Sequence, residues 1–429
     1  MPLLKDSGIA WIGAIPESWR LRKIKYSMIN RTENNNPIVT KDILSLTAKQ
    51  GVVPLSEKEG GGNKPKEDYS AYRLAYPGDI VMNSMNVLSG SVGLSKYFGC
   101  VSPVYYMLRP SDSEDDVRFY NYIFQTTVFQ KSLLGLGNGI MMKESGNGKL
   151  NTIRMRIPMD KLGDIYIPIA SYREQKRIAD YLDAVCSKID TLSADIQAEI
   201  DTLEEYKKSV ITEAVTKGLN LDAEIKNSDI YYMAPYNSSW RLTKIGYECT
   251  KLNRAFSSED IPLLCTNKGK VAIRPDDMLG KMVSEDNAMQ GIRKGDIAIH
   301  GMDTWHGAIA LSEYDGKITR VVHVCDSTQD KRFIVYYLQQ LAFNGVYKLI
   351  SNGVRGNTSD FRSWDKVKDI YIALPSISEQ KAIADYLDKI CVEVEAVIKT
   401  KKEQLATLDE YKKSVIYEYV TGKKEVPNE

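Results

Sequence analysis

Histidine is nearly missing from this chain, with three in 429 residues, His300, His306 and His323, and none in the first half. Without an H-E-x-x-H spacing they do not form a zinc-hydrolase helix, and each is read as having one local polar role. The six cysteines (Cys100, Cys186, Cys249, Cys265, Cys325 and Cys391) are scattered and contain no C-x-x-C. That scatter argues against a zinc site and a disulfide framework, and for reduced, mostly buried thiols. No run of about 18 uncharged apolar residues is present for a membrane span, and MPLLKDSG at the start lacks the apolar stretch of a secretory signal. A cytoplasmic chain with no membrane partner is expected. An excess of one charge is missing too, since the formal net charge is +1. A protein that neutralises many phosphates usually has a basic surplus, so any such charge must be local. RLRKIKY from Arg20 is wholly basic in its charges and suits phosphate contacts that position without specifying; Lys143, Lys149, Arg154 and Arg156 are opposed by Glu144 alone.

What is present is a repeat. EQKRIADYLDAVC from Glu174 returns as EQKAIADYLDKIC from Glu379, and LEEYKKSVITEAVT returns as LDEYKKSVIYEYVT, both at an offset of 205 residues. Internal repeats dictate architecture. Further landmarks recur in order with a shrinking offset: SWRL at Ser18 and Ser239, LT-x-K ending at Lys49 against CT-x-K ending at Lys268, GDI at Gly78 and Gly295, RF at Arg118 and Arg332, and DIYI at Asp164 and Asp369. The chain therefore reads as globular domain plus helix, twice. With 43% hydrophobic and 26% charged residues it can bury a core in each half.

Ser171-x-x-Glu174 and Ser376-x-x-Glu379 have the form of capping boxes, which start helices. From the first, Ile178, Leu182, Val185, Ile189, Leu192 and Ile196 step by four and three, and the stripe continues through Ile200, Leu203 and Val210. The copy runs Ile383, Leu387, Ile390, Val394, Val397, Leu405, Leu408 and Val415, interrupted by Lys401. Such a stripe is a coiled-coil seam, and Gly218 and Gly422 supply the stops. Forty residues at 1.5 Å each give a rod of roughly 60 Å, longer than one globular domain can bury, so the two rods are expected to pair antiparallel about an internal pseudo-two-fold. EYKKSV, polar yet present in both copies, offers Tyr206, Lys207, Lys208, Tyr411, Lys412 and Lys413 as a partner surface. Short apolar runs such as DIVMN, VYYML, DIAIH and DIYIP, with a helical patch after Arg118 and after Arg332, make the globular parts α+β. The expected boundaries are 1–160 and 221–365 for these parts, with helical regions at 161–220 and 366–429.

WIGAIPESW, a mid-domain GDI, and I-x-I-P followed by EQK-x-IA-x-YL opening a long helix, all used twice, resemble the specificity subunit of type I restriction-modification enzymes over essentially the whole chain. The resemblance implies two target-recognition domains, each reading one half of a bipartite asymmetric site on double-stranded DNA, held apart by the paired helices. It also implies partners: two adenine methyltransferase subunits using S-adenosylmethionine, and ATP-driven restriction and translocase subunits. This chain would bind neither cofactor itself.

Base edges in the major groove call for Arg, Lys, Asn, Gln and short polar groups on exposed loops. Candidates in the first half are Lys49 and Gln50, then Asn83, Ser84 and Asn86, then Lys143, Asn147 and Lys149. In the second half they are Asn267, Lys268 and Lys270, then His300, Asp303, Trp305 and His306, then Arg355, Asn357 and Arg362. The three loops match by offset. GGGNKPK from Gly60 reads as a basic surface excursion with no counterpart. An adenine methyltransferase of the related kind would show an N-P-P-Y/F motif and a glycine-rich cofactor loop, and neither is found. Gly146–Leu150 mimics the end of a P-loop but has Leu150 where Ser or Thr would bind magnesium. Asp276 with Asp315 and Lys317 imitates nuclease carboxylates, but the first half has no such set. The rival readings are a stand-alone metal-dependent nuclease and a coiled-coil scaffold without a DNA role.

Overall fold

The computed structural model describes residues 3–48, 50–59, 65–137, 143–144, 150–151, 156–275, 288–351 and 360–427. The chain forms two compact units: residues 1–195 with 403–429, and residues 196–402.

In the first unit, β1 (Arg20–Lys23) is followed by β2 (Met28–Arg31), the hairpin β3 (Leu44–Thr47) and β4 (Gly51–Pro54), then β5 (Ile80–Asn83), β6 (Val92–Leu94) and β7 (Tyr105–Pro110). Helix α1 (Val117–Gln125), β8 (Tyr166–Ile169) and the 46-residue α2 (Tyr172–Lys217) complete the sequence. The central antiparallel sheet has the order β2-β7-β5-β6, and β8 pairs with β1. The second unit repeats this plan as β9 (Arg241–Lys244), β10 (Cys249–Lys251), β11 (Leu263–Thr266), β12 (Lys270–Ile273), β13 (Ile297–His300), β14 (Ile309–Leu311) and β15 (Val322–Ser327). Helix α3 (Lys331–Phe343), β16 (Tyr371–Leu374) and the 44-residue α4 (Ile377–Val420) follow. Its sheet order, β10-β15-β13-β14, is the same, and β16 pairs with β9. The α+β class read from the sequence is what folds.

The runs IVM and IAI are apolar at every position, not alternate ones, because both faces of these central strands are covered. Ile80 and Met82 join the core around Trp19 and Phe119, while Val81 joins a smaller cluster with Leu44 and Val101. Ile297 and Ile299 likewise face Trp240 and Phe333, and Ala298 faces Leu263 and Ile318. Trp19 meets Phe119 edge-on at 5.9 Å, and Trp240 meets Phe333 at 6.1 Å.

Ser171 and Ser376 cap the long helices, their Oγ atoms accepting from Glu174 and Glu379 backbone N–H. Glu379 does not close a box: its Oε1 accepts from Trp240 Nε1 at 3.2 Å. Gly218 and Gly422, with φ of +86° and +70°, end the helices in the left-handed region as expected. Within the first unit the start of α2 runs antiparallel to the end of α4, with Tyr181 stacked on Tyr419 at 4.6 Å and Lys412 Nζ 2.6 Å from Asp190. Within the second unit the end of α2 and the start of α4 do the same through Lys207–Glu395 at 2.6 Å and Lys401–Glu199.

The seam differs from the regular stripe at three positions. Leu182, Val185, Ile189 and Ile196 lie on it, as do Leu387, Val394 and Leu408, but Leu192 and Val397 are 48% and 45% exposed. Ser193 and Ile398 take their places, and Cys391 is buried where Ile390 is only partly so. A helix of 3.6 residues per turn drifts off a strict seven-residue repeat, and an extra step of four restores contact. Lys401, which breaks the apolar stripe, lies on the seam and meets a carboxylate there.

The repeated EQK-x-IADYLD motif now has a physical reason. Arg118 bonds Asp180 at 2.8 Å and Asp183 at 2.7 Å, and Arg332 bonds Asp385 at 2.8 Å and Asp388 at 2.7 Å. The Tyr122 and Tyr336 hydroxyls donate to Asp183 and Asp388, each at 2.7 Å. Gln175 and Gln380, both buried, accept from the backbone N–H of Asp116 and Asp330, the N-caps of α1 and α3. In each unit one arginine, one tyrosine and one glutamine thus fasten the short helix to the long one.

Candidate nucleic-acid interface

Three connections meet on each unit's central sheet. The first is the tip of the β3–β4 hairpin and its counterpart between β11 and β12. The second joins β5 to β6 and β13 to β14, passing through a short 3-10 turn (Val87–Ser89; Thr304–His306) that ends at Gly90 or Gly307 with φ of +81° or +76°. A side chain there would be strained in the left-handed region. The third precedes β8 and β16 and includes Ile157 and Phe361. A Cβ on Gly90 would touch Ala48 at 3.6 Å, so the first connection adjoins the second. The second and third are tied by backbone hydrogen bonds, Ile157 N–H to Ser84 O at 2.9 Å and Phe361 N–H to Gly301 O at 3.0 Å.

The GDI motif supports the second connection without facing outward. Asp79 is buried and accepts from Tyr76 N–H and from Arg109 Nε at 2.5 Å; Asp296 is buried and holds Arg254 at 2.7 Å. After it, Asn83 and His300 occupy equivalent places and do the same work. Asn83 Oδ1 accepts from Met85 N–H, and His300 Nδ1 accepts from Met302 and Asp303 N–H. Both are largely enclosed, as is Ser84, whose hydroxyl donates to Val104 O at 2.6 Å. Asn86 and His306 are exposed. Asp303 lies 3.4 Å from His300 Nδ1, and Trp305 Nε1 donates to Ser351 Oγ at 3.1 Å beneath Lys348. Along this turn Asn86 and Ser89 face outward in one unit and His306, the counterpart of Ser89, in the other, where Asp303 takes the place of Asn86 as the turn's N-cap.

In the first connection Gln50 shapes the loop, bonding Glu57 O and Glu59 N–H, whereas Asn267 and Lys268 are exposed. Lys270 turns to α4: its Nζ is 2.9 Å from Glu395, which Lys207 also grips. Burial pushes the Glu395 carboxyl up, but hydrogen bonds from the two ammonium groups outweigh it and hold the pKa below its ordinary 4.5. In the third connection Arg362 is exposed beside Phe361, and Arg156 is exposed beside Ile157. Lys49, Asn147, Lys149, Arg355 and Asn357 lie outside the described residues, as do residues 60–64 and Asp276, and the side chain of Lys143 is likewise not described.

The basic RLRKIKY stretch is largely neutralised within its own unit. Lys23 and Lys25 share Asp164 at 3.0 and 2.8 Å, and Arg22 lies 3.9 Å from Asp115. Of the EYKKSV residues, Tyr206 and Tyr411 are 50% and 54% exposed, Lys208 and Lys413 pair with carboxylates on their own helices, and Lys207 and Lys412 are engaged across the helix pair. Two residues absent from the sequence-based set also reach the third connection: the Tyr106 hydroxyl donates to Ile157 O at 2.8 Å, and His323 Nε2 lies 2.7 Å from Phe361 O. The offset of 217 that aligns the GDI motifs also aligns these two residues, which was the available signal.

No protein-family model matches the chain. A Methanocaldococcus jannaschii protein assigned as the type I restriction enzyme MjaX specificity subunit is 23% identical over 450 aligned residues, covering 96% of this chain and 95% of that protein. Over almost its whole length the chain is similar to a type I restriction enzyme specificity subunit. The MjaVIII specificity subunit of the same organism is 24% identical over 300 residues, spanning 62% of this chain and 63% of that one. Its fold matches a chain solved in work on complex assembly and conformational transition of the type I R-M system, with a TM-score of 0.67 at 13% identity, covering 96% of this chain and 99% of that chain. Among the described residues, no helix is long and apolar enough to cross a membrane, and no group of three His, Cys, Asp or Glu is placed to hold a metal ion.

Proposed function

We propose that this chain is a type I restriction enzyme specificity subunit that reads a bipartite, asymmetric target on double-stranded DNA, one half per unit, without catalysing any reaction. The observation that carries this reading is one frame displaying unlike side chains. The same three connections meet in both units, yet Asn86 and Ser89 of one stand where the other has Asp303 and His306, and an exposed arginine precedes the tied backbone at Arg156 in one unit and follows it at Arg362 in the other. Such groups suit base edges or phosphates. The paired helices would set the gap and dock two methyltransferase subunits, with Tyr206 and Tyr411 as equivalent exposed contacts. S-adenosylmethionine and ATP would act on those methyltransferases and on restriction-translocase subunits. Tethering two weak half-site readers raises their joint affinity through effective concentration.

Exchanging residues 1–170 for those of a relative with another target should replace one half of the methylated motif and leave the other half and the gap unaltered. An unchanged motif, or loss of both halves from a properly assembled complex, would refute the modular reading.

A further inference from the structure

The third connection is held onto the second by the same three-membered arrangement in both units, built from different side chains. In the first unit Ile157 gives its N–H to Ser84 O and takes the Tyr106 hydroxyl on its own carbonyl at 2.8 Å. In the second, Phe361 gives its N–H to Gly301 O and meets His323 Nε2 on its carbonyl at 2.7 Å. A carbonyl only accepts, so His323 carries its proton on Nε2. Tyr106 and His323 sit at corresponding points of β7 and β15, each strand pairing with the β5 or β13 strand that leads into the second connection. Both side chains are buried, as are Ile157 and Phe361. A phenol and an imidazole differ in shape, charge range and ring chemistry. What they share here is one N–H or O–H aimed at one carbonyl, so the hydrogen bond, rather than the packing of a particular ring, is the common feature.

We infer that Tyr106 and His323 are positioning residues for recognition: each latches the third connection to the second and so fixes Arg156 beside the Asn86 turn, or Arg362 beside the His306 turn. Neither touches DNA. Each acts through the backbone that carries an exposed arginine, and groups that read base edges must be held to within a fraction of an ångström. The inference rests on the proposed half-site reading and assigns each latch to one half only.

The test uses the full chain co-expressed with its methyltransferase, with methylated adenines mapped genome-wide. Tyr106→Phe removes one hydroxyl and should lower discrimination in a single half-site roughly five- to tenfold, the worth of one neutral hydrogen bond, while the other half stays sharp. His323→Phe should do the same to the opposite half. Tyr106→His and His323→Tyr, which exchange the latches, should each retain the motif, a rescue that a purely steric role would not give. If one of the phenylalanine variants does not accumulate, its exchange variant and the other unit's pair still decide the matter. Motifs unchanged in both phenylalanine variants, or blurred equally in both halves, would overturn the latch. A wild-type chain that assembles but yields no two-part motif would instead remove the half-site reading itself, and the latch with it.

Discussion

At the scale of single residues, the second unit holds every histidine, and two of them are enclosed. Burial lowers the pKa of His323 below its ordinary 6.5, with Lys251 and His300 adding repulsion and the Phe361 carbonyl opposing. Burial lowers His300 as well, against the pull of Asp303. Their folded-state pKa values are depressed, so the unfolded chain binds protons first as pH falls. The stability they contribute is complete above about pH 6.5 and is lost as pH drops below that value toward the lowered ones. Thermal melts at pH 7.5 and 5.5 should show an acid-induced drop that His323→Tyr makes smaller; an equal drop in the variant would contradict this assignment. The loop residues proposed to face DNA were the least legible in the sequence. Asn83, Ser84 and His300 have the right chemistry for base edges, but a strand leading into a turn consumes the same hydrogen-bonding groups on its own backbone. Nothing local in the sequence separates a polar group that builds a loop from one that the loop displays.

At the scale of elements, the long helices are fastened by the arginine–tyrosine–aspartate clamps and by the seam. Tyr122→Phe and Tyr336→Phe each delete one hydrogen bond to a carboxylate and should cost about 1.5–3 kcal/mol in chemical denaturation; a loss below ~0.5 kcal/mol would show the clamp to be ornamental. The corrected seam makes a sharper contrast. Leu182→Ala and Leu387→Ala, at fully buried positions, should cost about 2–5 kcal/mol, whereas Leu192→Ala and Val397→Ala should stay within ~0.5 kcal/mol. Equal costs at all four positions would restore the regular stripe. Both helices, their serine caps and their glycine stops were legible because a repeat printed each signal twice. The one-residue shift from Leu192 to Ser193 was not, because an apolar residue three steps on and a small one four steps on both continue a heptad, and only contact with the opposite helix decides between them. The clamps were visible as recurring letters without a reason, since Arg118 and Asp180 come from segments 62 residues apart.

At the scale of the whole molecule, the proposed reading makes the helix pair a spacer. Inserting four residues at matched points of α2 and α4 adds about 6 Å of helix while preserving the seam as a stutter does. That length is near two base-pair rises of ~3.4 Å, so the gap in the methylated motif should widen by about one or two base pairs with both halves unaltered; motif sequencing of the insertion variant checks this. Basic groups are paired with carboxylates inside each unit, Lys23 and Lys25 with Asp164 and Lys244 with Asp369, so under the proposed reading the near-zero net charge fits a chain whose DNA contacts would be confined to loops. The most direct measurement is a genome-wide map of methylated adenine in cells expressing this chain with its neighbouring methyltransferase. The account predicts one asymmetric motif in two specified parts separated by a fixed run of unspecified bases; a continuous motif, or none despite confirmed assembly, would contradict it.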